Sequence, residues 1–105
     1  MQFTSFLDNG SLTVALTGEI DHHRAREYIL AISAKIESYT PSTCVLDFSE
    51  VTFVDSSAIA VVINALRAMN MIEGKLELTG LAPQPVKVFR TAGLDKLLDM
   101  KEVSP

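Results

Sequence analysis

Short runs with strand character alternate with longer segments of helical period along nearly the whole sequence, and this alternation restricts the fold more than any other feature. Phe3 to Leu7 and Ser11 to Thr17 read as two strands. Between them sits Asp8-Asn9-Gly10, where Asn and Gly accept the positive φ of a tight hairpin. The second strand alternates, with Leu12, Val14 and Leu16 on one face and Ser11, Thr13 and Thr17 mostly on the other. Asp21 then stands as an N-cap before a helix in which Ala25, Tyr28, Ile29, Ile32, Ile36 and Tyr39 form one apolar stripe. Thr40-Pro41 ends that helix. Thr43 to Phe48 reads as a strand, and its run Cys44-Val45-Leu46 predicts burial on both faces. Ser49 to Val54 is expected to connect it to Asp55-Ser56-Ser57, the start of a second helix. This helix should reach about Glu73, with Gly74 as its C′ residue. Ile59, Val62, Ile63, Leu66 and Met69 are expected to face the sheet, and Ala60, Asn64, Arg67 and Met71 to point away. Lys75 to Thr79 is a further strand and Gly80 to Ala82 a loop. Pro83-Gln84-Pro85 suits the first turn of a helix packed down by Val86, Phe89 and the Arg90 stem and stopped at Gly93. Leu94 to Met100 closes the pattern as a short helix or strand.

Strands that alternate with helices require crossover connections. The expected class is α/β: a small, mainly parallel sheet with an N-terminal hairpin strand at its edge and helices packed against it. Residues 3–100 should form one domain, and 101–105 a loose polar tail. With 105 residues, 48% of them apolar, the chain can bury a core without staples. The single Cys44 has no partner for a disulfide and no Cys/His cluster around it, so it reads as a small buried hydrophobe. A net charge of −4 with nine scattered basic residues argues against nucleic acid. Met1 to Ser5 lacks the charged and apolar regions of a secretory signal. The longest apolar run, Ala58 to Ile63, falls far short of a membrane span. The expected compartment is the cytoplasm.

Functional loops of crossover folds lie beyond the carboxyl ends of the parallel strands. Two such loops can be placed here, Thr17 to His23 and Thr52 to Ser57, and the fold should bring them to one end of the sheet. Asp21, His22, His23, Asp55 and Ser56 include the ingredients of a hydrolytic triad, but no G-x-S-x-G elbow presents the serine, and a triad is a geometry, not an inventory. Adjacent His22 and His23 point about 100° apart on a helix, which is awkward for a single metal ion. No glycine-rich phosphate loop is present. Neither catalysis, a metal nor a bound cofactor is therefore expected. Read by itself, Asp55-Ser56-Ser57 is a polar cap on an apolar helix. It is also a favourable place for a covalent phosphate, because free N–H groups and the positive end of a helix favour an added anion.

The segment Leu16-Thr17-Gly18-Glu19-Ile20-Asp21-His22-His23, then Val45-Leu46-Asp47-Phe48 and Phe53-Val54-Asp55-Ser56-Ser57, resembles the anti-sigma factor antagonists, the bacterial members of the STAS domain family. Gly74, Leu76-Glu77-Leu78, Pro83, Phe89 and Gly93-Leu94 extend the resemblance over residues 3–100. It implies a non-enzymatic switch protein with Ser56, the serine directly after the motif aspartate, as phosphoacceptor. It implies two partners: an anti-sigma factor that is also an ATP-using serine kinase, bound while Ser56 is unmodified, and a PP2C-type phosphatase. The ATP site belongs to the kinase, so the resemblance implies no cofactor here. Partner contact is expected to centre on Asp21, His22, Asp55, Ser56, Ser57, Ile59 and Ala60, because Ala60 is apolar yet expected to be exposed beside Ser56, as suits a reversible interface. The other role the resemblance implies is a regulatory or scaffold subunit of a transporter ATPase or of a stress-sensing complex. Family members often carry Gly-Leu-Gly after the serines. This chain has Ala58-Ile59-Ala60, and alanine suits a helix better.

Overall fold

The Asn-Gly pair makes the turn its chemistry favours: Asn9 and Gly10 take φ of 51° and 80°, and Asp8 pairs with Ser11 across them. The computed structural model describes residues 3–103. Along it run β1 (Thr4–Asp8), β2 (Ser11–Ile20), α1 (His22–Tyr39), β3 (Thr43–Val54), α2 (Ser57–Met71), β4 (Lys75–Leu81) and α3 (Pro83–Thr91). A single 3-10 turn over Leu94–Lys96 then leads into β5 (Asp99–Glu102).

The five strands lie in the order β1-β2-β3-β4-β5. The β1–β2 pair is antiparallel and the other three pairs are parallel. The mainly parallel α/β sheet with a hairpin strand at its edge is the expected architecture. Each crossover steps to the next strand in the same direction, so right-handed connections place α1, α2 and α3 on one face. Burial follows from this. Leu12, Val14, Leu16, Cys44, Leu46, Phe48, Leu76 and Leu78 are buried beneath the helices. Thr13, Ala15, Val45, Asp47 and Glu77, on the other face, are only partly covered. Val45 therefore corrects the expectation of two-sided burial. An apolar triplet signals a strand, but handedness decides which face the helices cover.

Other boundaries move as well. β2 continues to Ile20 and β3 to Val54, because the two strands go on pairing to their ends, where Ile20 lies opposite Val54. Between the pairs Ala15↔Asp47 and Thr17↔Glu50, β3 holds one extra residue, a bulge. The Ser49 N–H in the bulge donates to the Asp47 carboxylate at 2.9 Å. β4 runs through Leu81, so Gly80 and Leu81 belong to a strand and not to a loop. Lys101 and Glu102, expected in a loose tail, belong to β5, and Arg90 pairs with Glu102 at 2.8 Å. Residues 104–105 of that tail lie outside the described residues.

α2 buries Ala58, Val61, Val62, Ala65 and Met69, while Ile59, Ile63 and Leu66 are half-buried. The helix is turned from the expected stripe because it packs on α1 as well as on the sheet. At its end Glu73, not Gly74, takes the left-handed conformation, with φ of 58°. Gly74 is needed for space: a Cβ there would run into the Met69 methyl and sit 3.1 Å from the Ser42 and 3.2 Å from the Pro41 carbonyl oxygens. The fully buried Tyr28 keeps its hydroxyl satisfied on the Thr17 backbone, accepting from its N–H at 3.1 Å. No helix among the described residues is long and apolar enough to cross a membrane.

Candidate functional site

Because β2 and β3 are parallel neighbours that end together, the segments after them meet at one end of the sheet. The Asp55 N–H donates to the Ile20 carbonyl at 3.2 Å, which joins the two segments directly. Asp21 follows Ile20 and caps α1, its carboxylate accepting from the Arg24 N–H at 2.9 Å. That backbone hydrogen bond, helped by nearby His23, holds the fully exposed Asp21 carboxyl below its ordinary value of 3.8. His22 and His23 open α1, both exposed, their rings edge-to-face at 5.8 Å. No group of three metal-ligating side chains forms among the described residues.

At the start of α2 the two serines differ in kind. The half-buried Asp55 carboxylate accepts from the Ser57 N–H at 2.8 Å and also from the Ser57 hydroxyl. Ser57 is therefore committed to the cap. Ser56 precedes it at the N-cap position, exposed, and its hydroxyl makes no hydrogen bond among the described residues. Ile59 lies half-buried one turn on, and Ala60 is exposed, its carbonyl accepting from the Asn64 side-chain amide at 2.7 Å. The structure thus gathers Asp21, His22, Asp55, Ser56, Ser57, Ile59 and Ala60 at one end of the molecule.

The part played by α3 is not visible in the sequence. Gln84, in its first turn, holds the last residue of β3 with both ends of its side-chain amide. Its oxygen accepts from the Val54 N–H at 3.0 Å, and its nitrogen donates to the Val54 carbonyl at 2.8 Å. This places α3 beside the Asp55-Ser56 segment and opens a groove of about 370 Å³ between α2 and α3. Ser56 and Ile59 line it from one side, and Lys87, Val88, Thr91 and Ala92 from the other. Phe53, the residue before Val54, is 47% exposed. The available signal for α3 was the spacing of Gln84, Lys87, Val88 and Thr91, which share one side of a helix. Spacing does not say what that side meets. Cys44 takes no part: it is buried in the sheet, and burial pushes its thiol up to about 12.

A mainly parallel sheet, with α1, α2 and α3 over one face, is the frame that carries this site. A family model described as "Mlab, STAS domain" matches residues 6–99, and the chain belongs to the STAS domain family. Within that family it is similar to anti-sigma factor antagonists. One, the anti-sigma F factor antagonist of Lysinibacillus sphaericus, is 31% identical over 84 residues, covering 80% of this chain and 72% of that protein. The solved structure of the anti-sigma factor antagonist SpoIIAA in its unphosphorylated form superposes with a TM-score of 0.84 at 26% identity, covering 98% of this chain and 89% of that one. The Bacillus cell fate determinant SpoIIAA in its phosphorylated form superposes with a TM-score of 0.76, also at 26% identity, covering 98% and 92%.

Proposed function

We propose that this chain is a phosphorylation-switched anti-sigma factor antagonist. With Ser56 unmodified it binds an anti-sigma factor that is also an ATP-using serine kinase, and a sigma factor is freed. In that complex the Ser56 hydroxyl oxygen attacks the γ-phosphorus of the kinase's ATP, ADP leaves, and the hydroxyl proton passes to a base on the kinase. The phosphorylated chain lets go, and a PP2C-type phosphatase returns it to service by hydrolysis. These partners place its work in the cytoplasm. Its contribution is to bind and to be modified, not to catalyse.

One observation carries this reading. Of two adjacent serines on the site, Ser56 is exposed with a free hydroxyl, while the Ser57 hydroxyl is engaged by Asp55. A serine held ready at Ser56 favours the switch over a regulatory or scaffold subunit of a transporter ATPase or of a stress-sensing complex, roles that need no phosphoacceptor. Incubation with the cognate kinase and ATP, followed by mass spectrometry, tests it. Phosphate should appear on Ser56, be absent from Ser56→Ala protein and persist on Ser56 in Ser57→Ala protein. Modification of Ser57 alone, or none, would refute the reading.

A further inference from the structure

A phosphate on Ser56 would stand among mostly acidic or neutral neighbours. Asp55 shares its turn, and Asp21, with Glu19 before it, lies at the same end of the sheet. His22, His23 and Arg24 belong to the first turn of α1 on that end, and Arg24 holds its guanidinium back over Gly18, 3.1 Å from where a Cβ would be. Among the described residues, the one cation lining the groove with Ser56 is Lys87 of α3. Lys87 is exposed and makes no ion pair among the described residues, whereas Lys75, Arg90 and Lys101 each face a carboxylate. Its helix is tied to the strand end that leads into Ser56. Gln84 ties α3 to Val54, two residues before Ser56, and Lys87 follows Gln84 by three residues, on the adjoining part of the same helix side.

We propose that Lys87 is the internal counter-ion of phosphorylated Ser56. Its ammonium swings across the groove to the phosphate oxygens, bridges the start of α2 to α3, and lays its stem over the gap that Ile59 and Val88 leave open. Phosphorylation then does more than add charge to the docking surface. It also covers the groove beside it, and both changes act against a bound partner. The inference rests on Ser56 being the phosphorylated residue, and its test is separable from that reading because phosphoserine can be installed at position 56 during synthesis without any kinase.

Phosphorus NMR titration of such protein reads the second ionisation of the phosphate, ordinarily near pH ~6. A cation in contact favours the dianion and lowers that pKa. The value should lie roughly half a unit lower in the Lys87 and Lys87→Arg proteins than in Lys87→Ala, with the difference fading in high salt. The background from Asp21, Asp55, His22 and His23 is common to all three and cancels. A phosphate pKa unchanged in Lys87→Ala, or one that Lys87→Arg fails to keep low, would overturn the proposal. Failure there would leave the choice of Ser56 as phosphoacceptor to the mass spectrum.

Discussion

Two adjacent serines and the aspartate before them divide the labour of one helix start. Asp55 takes the Ser57 N–H and hydroxyl, so removing its carboxylate uncaps α2. Asp55→Ala should cost about 1 kcal/mol of stability, within the range of roughly 0.5–2 for lost caps, read from the denaturant midpoint. Ser56→Ala should leave that midpoint nearly unchanged, since the Ser56 side chain makes no cap hydrogen bond. Asp21 supplies a pH signature. Its carboxyl is held below the ordinary value of 3.8 chiefly by the Arg24 N–H, so at pH values near that point the unfolded chain binds more protons than the folded one. Stability from this group is therefore present above the unfolded pKa and lost as pH falls through the lower folded value. Asp21→Asn should flatten this part of the acid limb of a stability–pH profile. An unchanged slope would remove Asp21 from the account. Ala60 is exposed beside Ser56, so Ala60→Glu should weaken kinase binding while shifting stability by no more than about 0.5 kcal/mol.

Among the elements, α3 holds the site together by an unusual device, a side-chain amide that stands in for a neighbouring strand at Val54. Gln84→Ala leaves a buried N–H and a buried carbonyl without that partner and should destabilise by about 1–3 kcal/mol. Gln84→Glu keeps the acceptor but loses the donor, and should stay destabilised near neutral pH. A denaturant midpoint equal to wild type in both variants would show that α3 is not held this way. These same elements mark how far the sequence could be read. The Asn9-Gly10 turn and the Asp21 cap were legible because each is local chemistry within a few residues. So was the placing of Asp21 and Ser56 at one end of the sheet, which needs only two parallel strands that end together. The rotation of α2 was not legible, because α1 sets it from a distance in sequence. Nor was the open sheet face at Val45, which follows from crossover direction. Lys101 and Glu102 carry too much charge to announce a strand, and they extend one from Asp99 where β4 supplies a ladder and Lys75 an ion pair to Asp99. For the same reason the groove and Lys87 could not be read in the sequence: they exist only once α3 is docked.

For the molecule as a whole, the proposed switch would act by changing what can dock and would leave the fold intact. A phosphate adds roughly −1.5 to −2 charge. At an exposed helix N-terminus this is favourable by about 0.3–1 kcal/mol, while Asp21 and Asp55 oppose it. In solvent these contributions are screened and nearly cancel. At a docked interface the phosphate, still net negative with Lys87 beside it, must shed water, at a cost of several kcal/mol unless the partner supplies a further cation. Since about 1.4 kcal/mol is a tenfold change in affinity, release follows without any refolding. The most direct measurement is a calorimetric titration of the anti-sigma factor kinase with this protein, unmodified and phosphorylated on Ser56, with thermal melts of both forms. The phosphorylated form should keep nearly the same Tm and bind at least tenfold more weakly. Equal affinities, or a phosphorylated form that has lost its cooperative melt, would contradict the account.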